Sequence, residues 1–140
     1  MDYQNLTAPC GLDCFNCPIY LANKDEKLRG LIAERLKIPF EKAVCGGCRN
    51  ESGIIAAIGR DKPCYVYQCV EKKGIDFCYD CEEFPCDYLH PYSDQAAQKP
   101  HNTKVFNLCL IKKMGLEKWA TEKAKSVKET YYKGKLKLGD

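Results

Sequence analysis

The clustering of its cysteines constrains this chain more than any other feature. Ten of the eleven lie between residues 10 and 86, in four groups: Cys10, Cys14 and Cys17; Cys45 and Cys48; Cys64 and Cys69; and Cys78, Cys81 and Cys86. Three of these groups contain two cysteines separated by two residues, a spacing that lets one tight turn direct two thiolates at the same ion. The pattern therefore predicts that bound metal holds the fold together.

The amino terminus and the cysteine count indicate a compartment. The first ten residues contain neither the basic segment nor the apolar run of a secretion signal, and no apolar stretch approaches the roughly 18 residues that cross a bilayer. We therefore expect a cytoplasmic protein with no membrane partner. In that reducing compartment clustered cysteines bind metal more often than they form disulfides, and the odd count of eleven favours the same interpretation.

Hydrophobic spacing predicts a mainly α protein, because no segment alternates polar and apolar residues as a half-buried strand would. We expect helices over residues 25–37, 64–73 and about 103–114, and one continuous amphipathic helix over 116–133. Cys109 lies between apolar neighbours in the third of these helices. It is predicted to be a buried small hydrophobe.

These elements divide the chain into four parts. We expect a cysteine-rich metal-binding module over residues 1–90, a polar linker over 91–102, a helical pair packed on the module over 103–133 and a loose tail over 134–140. The predicted architecture is thus a small metal-stapled domain with irregular zinc-knuckle loops and two carboxyl-terminal helices. A domain of this size buries a modest core, so bound metal would supply much of its stability.

Counting ligands favours two zinc ions, because structural zinc takes four ligands and the clusters supply ten cysteines. The grouping nearest in sequence joins Cys45, Cys48, Cys64 and Cys69. The second ion then draws on the six others: Cys10, Cys14, Cys17, Cys78, Cys81 and Cys86. Spacing alone leaves interleaved groupings open. His90 and His101 flank the linker and are expected to be surface residues.

An iron–sulfur redox or sensor protein is the first alternative, since such clusters are held by the same four thiolates. Cys10, Cys14 and Cys17 have the spacing that binds a [4Fe–4S] cluster in radical enzymes, but 140 residues are too few for the barrel of those enzymes. Zinc is preferred because pairs with this knuckle spacing are commoner in zinc sites.

The charge distribution bears on a second alternative, a nucleic-acid-binding zinc protein. Residues 101–140 contain ten lysines and four acidic residues, whereas residues 1–100 are net acidic. The basic segment has no arginine, the usual reader of phosphates and bases, so we expect a solvated lysine face and a protein partner. The motifs of serine hydrolases, phosphate-binding loops and zinc proteases are missing, so an enzyme is not expected.

Several motifs, taken in order, resemble one known family. Residues 10–20 read Cys-Gly-Leu-Asp-Cys-Phe-Asn-Cys-Pro-Ile-Tyr, residues 45–48 read Cys-Gly-Gly-Cys, residues 78–86 read Cys-Tyr-Asp-Cys-Glu-Glu-Phe-Pro-Cys, and residues 115–119 read Gly-Leu-Glu-Lys-Trp. Over roughly residues 8–120 the chain resembles the DUF3795 family of small cysteine-rich prokaryotic proteins. The resemblance implies zinc binding through these cysteines and no particular reaction. Many members carry a further cysteine where this chain has Asp61, so the resemblance favours Cys64 and Cys69 as a ligand pair.

Overall fold

The computed structural model describes residues 1–139, which form seven α-helices joined by short 3-10 turns and loops. The helices are α1 (Tyr3–Leu6), α2 (Pro18–Leu21), α3 (Glu26–Leu36), α4 (Tyr65–Lys73), α5 (Lys104–Met114), α6 (Leu116–Glu122) and α7 (Ala124–Lys133). Over this described range there is no β-strand, and a single-residue antiparallel bridge joins Thr7 to Asp13. The predicted mainly α class is confirmed. None of the helices within residues 1–139 has the length and apolar character needed to cross a membrane.

Local sequence explains where two of the predicted helices begin and end. α3 begins after Asp25, whose carboxylate accepts the Leu28 N–H at 3.0 Å. α4 begins after Cys64, whose sulfur accepts the Tyr67 N–H at 3.3 Å. It ends at Gly74, whose φ of 63° is readily adopted only by a residue without a Cβ. Both helices therefore follow the prediction closely.

The helix predicted as continuous over residues 116–133 is interrupted at Lys123, so α6 and α7 are separate. The Thr121 hydroxyl donates to a carbonyl one turn earlier and the Ser126 hydroxyl donates to Lys123 O, contacts that bend helices. The interruption allows Trp119, which has no exposed surface, and the first residue of α7 to enter the same core. Tertiary packing thus overrides the periodic pattern.

Cys109 is a further correction, because the structure exposes it although its apolar neighbours predict burial. The buried residues of α5 are Asn107, Leu108 and Ile111. Successive helical residues point about 100° apart, so Cys109 turns away from the side that Leu108 and Ile111 share. A buried polar residue, Asn107, lies where the hydrophobic pattern does not predict one.

Buried side chains form three cores. The central core consists of Ala8, Cys10, Val66, Val70, Phe77, Cys78, Leu89 and Leu108. The second core consists of Leu6, Phe15, Ile111, Trp119, Ala120 and Ala124. The third core consists of Ala22, Ile32, Ala33 and Ala43. Two of the clustered cysteines are therefore part of the central core itself.

Helix α5 packs directly on the first cysteine loop. Gly11 in this loop has a φ of +86°, and an added Cβ would lie 2.9 Å from Leu108 Cγ and from Lys104 O. Asn107 donates to Gly11 O at 2.8 Å and accepts from Trp119 Nε1 at 3.4 Å. This buried amide therefore joins the loop, α5 and α6.

Helix α7 is held to the same loop by an ion pair. Lys128 Nζ lies 2.7 Å from Asp13 Oδ1, and the carboxylate also accepts from Asn16 Nδ2 at 2.9 Å. Only 4% of the Asp13 side chain is exposed. A carboxylate so far removed from water needs such partners, which explains why α7 carries a lysine on its inner side.

Residues 91–102 lie mostly on the surface and close on themselves. Asn102 accepts the Tyr92 N–H at 2.9 Å and donates to Tyr92 O at 2.7 Å. His101 Nε2 lies 2.6 Å from His90 O, and both imidazole rings contact the Tyr92 ring. The two histidines are therefore engaged with this loop.

Candidate metal centre

All eleven cysteines are free thiols. Four of them, Cys10, Cys14, Cys48 and Cys64, form what we call the first thiol group. Cys10 lies in the central core, and Cys14, Cys48 and Cys64 pack against that core. The neighbouring Cys64 thiol raises the pKa of Cys48. Cys14 has Cys10, Cys17 and Cys45 as neighbouring thiols. The group thus joins segments that are far apart in sequence.

Cys69, Cys78, Cys81 and Cys86 form the second thiol group. Cys78 interacts through its charge with the other three and also with Cys10 of the first group, which shares the central core with it. All four line a cavity of 380 Å³, together with apolar side chains of α4 and of residues 84–89. Cys78 is buried at the inner side of the group, whereas Cys86 is exposed. The second group is therefore partly open to solvent.

Cys17 and Cys45 are the two remaining clustered cysteines, and they are neighbours of each other beside Cys14. Asn23 fixes the backbone at Cys45 by donating to Cys45 O at 2.7 Å and accepting the Cys45 N–H at 3.3 Å. These two thiols are additional to the eight that two four-ligand sites require.

The structure separates Cys64 from Cys69, although both the grouping nearest in sequence and the family resemblance join them. Cys64 lies in the first thiol group and Cys69 in the second. The physical reason is that Cys64 precedes α4 in extended backbone and caps it, whereas Cys69 lies within the helix and lines the cavity. Cys45 is likewise apart from Cys69. The observed arrangement is an interleaved one, which the spacing leaves open.

The thiols of each group are neighbours without forming a coordination sphere. Among residues 1–139, no three or more His, Cys, Asp or Glu side chains are arranged so that they could hold a metal ion. The donor chemistry nevertheless fits zinc, because each group supplies four soft sulfur ligands, the number and kind that structural zinc sites use.

Backbone N–H groups donate to the cysteine sulfurs, a feature that the sequence motifs do not reveal directly. The donors are Gly47 to Cys45 and Tyr67 to Cys64. The bond to Cys45 measures 3.4 Å and comes from Gly47, whose φ is +95°. Such bonds favour the thiolate, which is the form that binds metal.

Hydrogen bonding and burial act in opposite directions on the thiol pKa values. The neighbouring Cys48 thiol and the hydrogen bond from the Tyr67 N–H lower the pKa of Cys64 to about 6, against the effect of burial. Burial raises the pKa of Cys14 to about 12. It likewise raises the pKa of Cys78 to about 12. The buried thiols therefore need a strong cation nearby before they lose their protons, as metal coordination would provide.

Lys73 lies at the edge of the second thiol group. Its Nζ donates to Cys81 Sγ at 3.0 Å and forms an ion pair with Glu83. These contacts raise the pKa of Lys73 and lower the pKa of Cys81, because each group stabilises the charge of the other. The sequence indicates Lys73 only as the last residue of α4.

Arg49 is a second residue that the motifs do not identify. Its Nε donates to Thr7 O at 2.9 Å and its Nη2 donates to Asp76 O at 2.6 Å. The guanidinium lies 4.8 Å from the centre of the Phe77 ring. Because Arg49 directly follows Cys48, it holds the second cysteine segment against the first and the fourth. The only sequence signal is its position beside a knuckle cysteine.

Comparisons with known proteins bear on the same part of the chain. Neither the comparison with curated proteins nor that with solved structures gives a match. The model of a family described as a protein of unknown function, DUF3795, matches residues 6–91, which include all ten clustered cysteines. The motifs that resemble this family are therefore those that build the two thiol groups, and the chain belongs to the DUF3795 family.

Proposed function

We propose that this protein is a structural zinc module in which two zinc ions, each bound by four cysteine thiolates, fix a surface for a protein partner. The observation that carries the proposal is that cysteines from distant segments come together: Cys14, Cys48 and Cys64 pack on the core that contains Cys10 and Cys78, and Cys69, Cys81 and Cys86 line one cavity with Cys78. Four thiolates match the ligand number of structural zinc. Backbone N–H donors to the sulfurs support it, since such contacts orient and stabilise metal-bound thiolates.

Zinc would join segments that have little regular structure. Between α3 and α4 the chain contains 3-10 turns and loops, and it reaches the central core through the segment that carries Cys48. Zinc binding is worth about 10–16 kcal/mol in small zinc peptides, as much as the net stability of a typical domain. Two ions would therefore account for the order of loops that hydrophobic packing alone holds weakly.

A pair of exposed aromatic residues supports the partner surface. Tyr65 is 71% exposed and Tyr88 is 53% exposed, and their rings stack with centroids 5.9 Å apart. Tyr88 also lines the cavity of the second thiol group. Tyrosines are enriched at protein interfaces because they offer a large rigid apolar face with a polar tip. The second group would hold this pair in place.

An iron–sulfur protein is the second candidate, favoured by the cavity of the second thiol group. Four cysteines line this cavity together with apolar side chains, and it is open to solvent on the Cys86 side. Iron–sulfur clusters are also held by four cysteines. This candidate makes electron transfer or sensing, rather than a fixed surface, the purpose of the site.

Metal content of protein purified without oxygen tests both candidates. About two zinc ions per chain and no visible colour are expected for the structural module. C48S should lose about one zinc ion, whereas C109S, which alters an exposed thiol outside both groups, should keep two. Iron with acid-labile sulfide and a brown colour would support the second candidate. Protein that contains neither metal and remains folded would overturn both.

A further inference from the structure

We propose that an open groove between α5 and α7 binds an acidic amphipathic helix of a partner protein. The groove has a volume of 490 Å³, and it shares no lining residue with the cavity of the second thiol group. It is a different surface from the exposed tyrosine pair. Its assignment goes beyond the proposed function, because binding here requires no metal at the thiols.

Each wall of the groove presents an aromatic and an aliphatic side chain one helical turn apart. Phe106 and Leu110 belong to α5, and Val127 and Tyr131 belong to α7. Phe106 is 58% exposed, although phenylalanine is among the residues most often buried in folded domains. Two helices with such paired contacts can accept an amphipathic helix whose anchors are spaced three, four and seven residues apart.

Lysine borders the groove. Lys123 lines it directly. Lys113 follows Phe106 by two turns and Leu110 by one turn, which places it on the same face of α5. Both lysines are exposed, and neither forms an ion pair within residues 1–139. Counted with Lys123, α5 and α7 contain seven lysines and one acidic residue, Glu129. The complementary partner therefore carries Glu or Asp beside its apolar anchors.

The hydroxyl of Tyr131 is an incomplete polar site in the groove wall. Its oxygen is buried, and in the part of the chain that the structure describes it has no hydrogen-bond partner. Buried hydroxyl groups are normally paired, because an unpaired one loses its bonds to water without replacement. A partner carboxylate or carbonyl seated beside this ring would supply the missing acceptor.

Two other occupants match the groove less well. The carboxyl-terminal tail lies outside it, because Leu136 is 88% exposed and Leu138 is 91% exposed, and the lysines of the tail would meet lysines at the groove edge. Nucleic acid matches the lysines but not the apolar walls, and residues 101–140 contain no arginine, the usual reader of phosphates. Apolar walls with a basic edge therefore favour an acidic amphipathic helix.

Binding of a fluorescein-labelled synthetic peptide to the full chain, measured by fluorescence anisotropy, tests the groove. The probe repeats the heptad Glu-Leu-Glu-Glu-Leu-Leu-Glu three times, so that its leucines form one helical face. We expect saturable binding, and at least about tenfold weaker binding of a peptide with the same composition but scattered leucines. F106A should weaken binding of the probe at least about tenfold, whereas F40A, which alters an exposed phenylalanine outside the groove, should leave it unchanged.

Charge reversal at the edge of the groove tests the acidic character of the partner. K113E/K123E should weaken binding of the probe at least about tenfold. K118E/K125E makes an equal change of charge at exposed lysines outside the groove and should weaken binding by less than about threefold. Circular dichroism should show the same helix content in all of these variants, since each altered side chain is exposed.

Three outcomes would overturn the proposal: no binding of the probe, equal losses in the two charge variants, or tighter binding of a single-stranded DNA oligonucleotide that F106A does not weaken. Zinc content of each preparation is measured in parallel. Binding of the probe by a folded chain without zinc would leave this groove standing as a docking site while the proposed function fails.

Discussion

Gly11 is a position where backbone conformation and packing both require glycine. Its φ of +86° is one that L-residues rarely adopt, and a Cβ at this position would lie 2.9 Å from Leu108 Cγ and from the Lys104 carbonyl oxygen. Because Cys10 precedes it directly, the same conformation determines where the first thiol points. Gly59 has a similar φ of +77° but has no atom within 4 Å of the place where a Cβ would stand. A substitution at Gly59 therefore tests backbone strain alone, whereas one at Gly11 tests strain together with close packing.

We predict that G11A lowers the free energy of unfolding by about 3 kcal/mol, from about 1–2 kcal/mol of backbone strain plus the cost of overpacking against α5. G59A should lose only the strain part, about 1–2 kcal/mol. Urea denaturation of both zinc-loaded variants, followed by circular dichroism, measures the difference. Equal losses would contradict the close contact between the first cysteine loop and α5.

At the scale of elements, α7 is positioned by one buried charge pair more than by its apolar side. The ion pair between Asp13 and Lys128 joins two segments far apart in sequence, and the side chain of Asp13 is almost wholly buried. The amphipathic pattern predicts α7 as a helix but does not indicate that one of its lysines faces inward. A pattern that counts charge alone does not distinguish Lys128 from the other nine lysines of residues 101–140.

We predict that K128M lowers the free energy of unfolding by about 3 kcal/mol, because it leaves the Asp13 carboxylate buried without its cation. K125M changes an exposed lysine of the same helix and should alter stability by less than about 0.5 kcal/mol. In the double variant D13N/K128M most of the loss should be recovered, since no uncompensated charge remains. Thermal or urea unfolding of the parent protein and these three variants measures the differences. Similar losses for K128M and K125M would show that the pair does not hold α7.

Helices α3 and α4 were predictable because their ends are determined locally. Asp25 caps one, and Gly74 ends the other in a conformation that needs glycine. The interruption at Lys123 was not predictable from residues 116–133, because the apolar spacing continues through it. The interruption depends on the core in which Trp119 is buried, and that core includes residues more than a hundred positions earlier, such as Leu6.

For the whole molecule, the three cores are unequal. The third core contains three alanines and Ile32, and the helix that builds it leaves Leu31 64% exposed. By contrast, α5 contributes Leu108 and Ile111 to two different cores with almost no exposure. Local stability follows the number of buried apolar contacts, so the segment around α3 should open first.

Hydrogen exchange measured by mass spectrometry on the zinc-loaded protein checks this order. We predict that amides of α3 exchange at least about tenfold faster than those of α5, which corresponds to about 1.4 kcal/mol of opening free energy. The exposed residues 135–139 supply the fast reference within the same chain. Equal protection of α3 and α5 would mean that the third core is as stable as the central one.

The sequence by itself determined the helical class, the ends of α3 and α4, and the four cysteine clusters, because caps, hydrophobic period and tight-turn spacing act over a few residues. Which cysteines become neighbours was decided by the tertiary structure. Cys64 caps the short helix that carries Cys69, yet the two belong to different groups, and Cys10 and Cys48 come together at the central core from segments far apart in sequence. The exposure of Cys109, the burial of Asn107 and the inward lysine of α7 were decided in the same way. Each depends on which surface packs against which, and that is a property of the assembled fold.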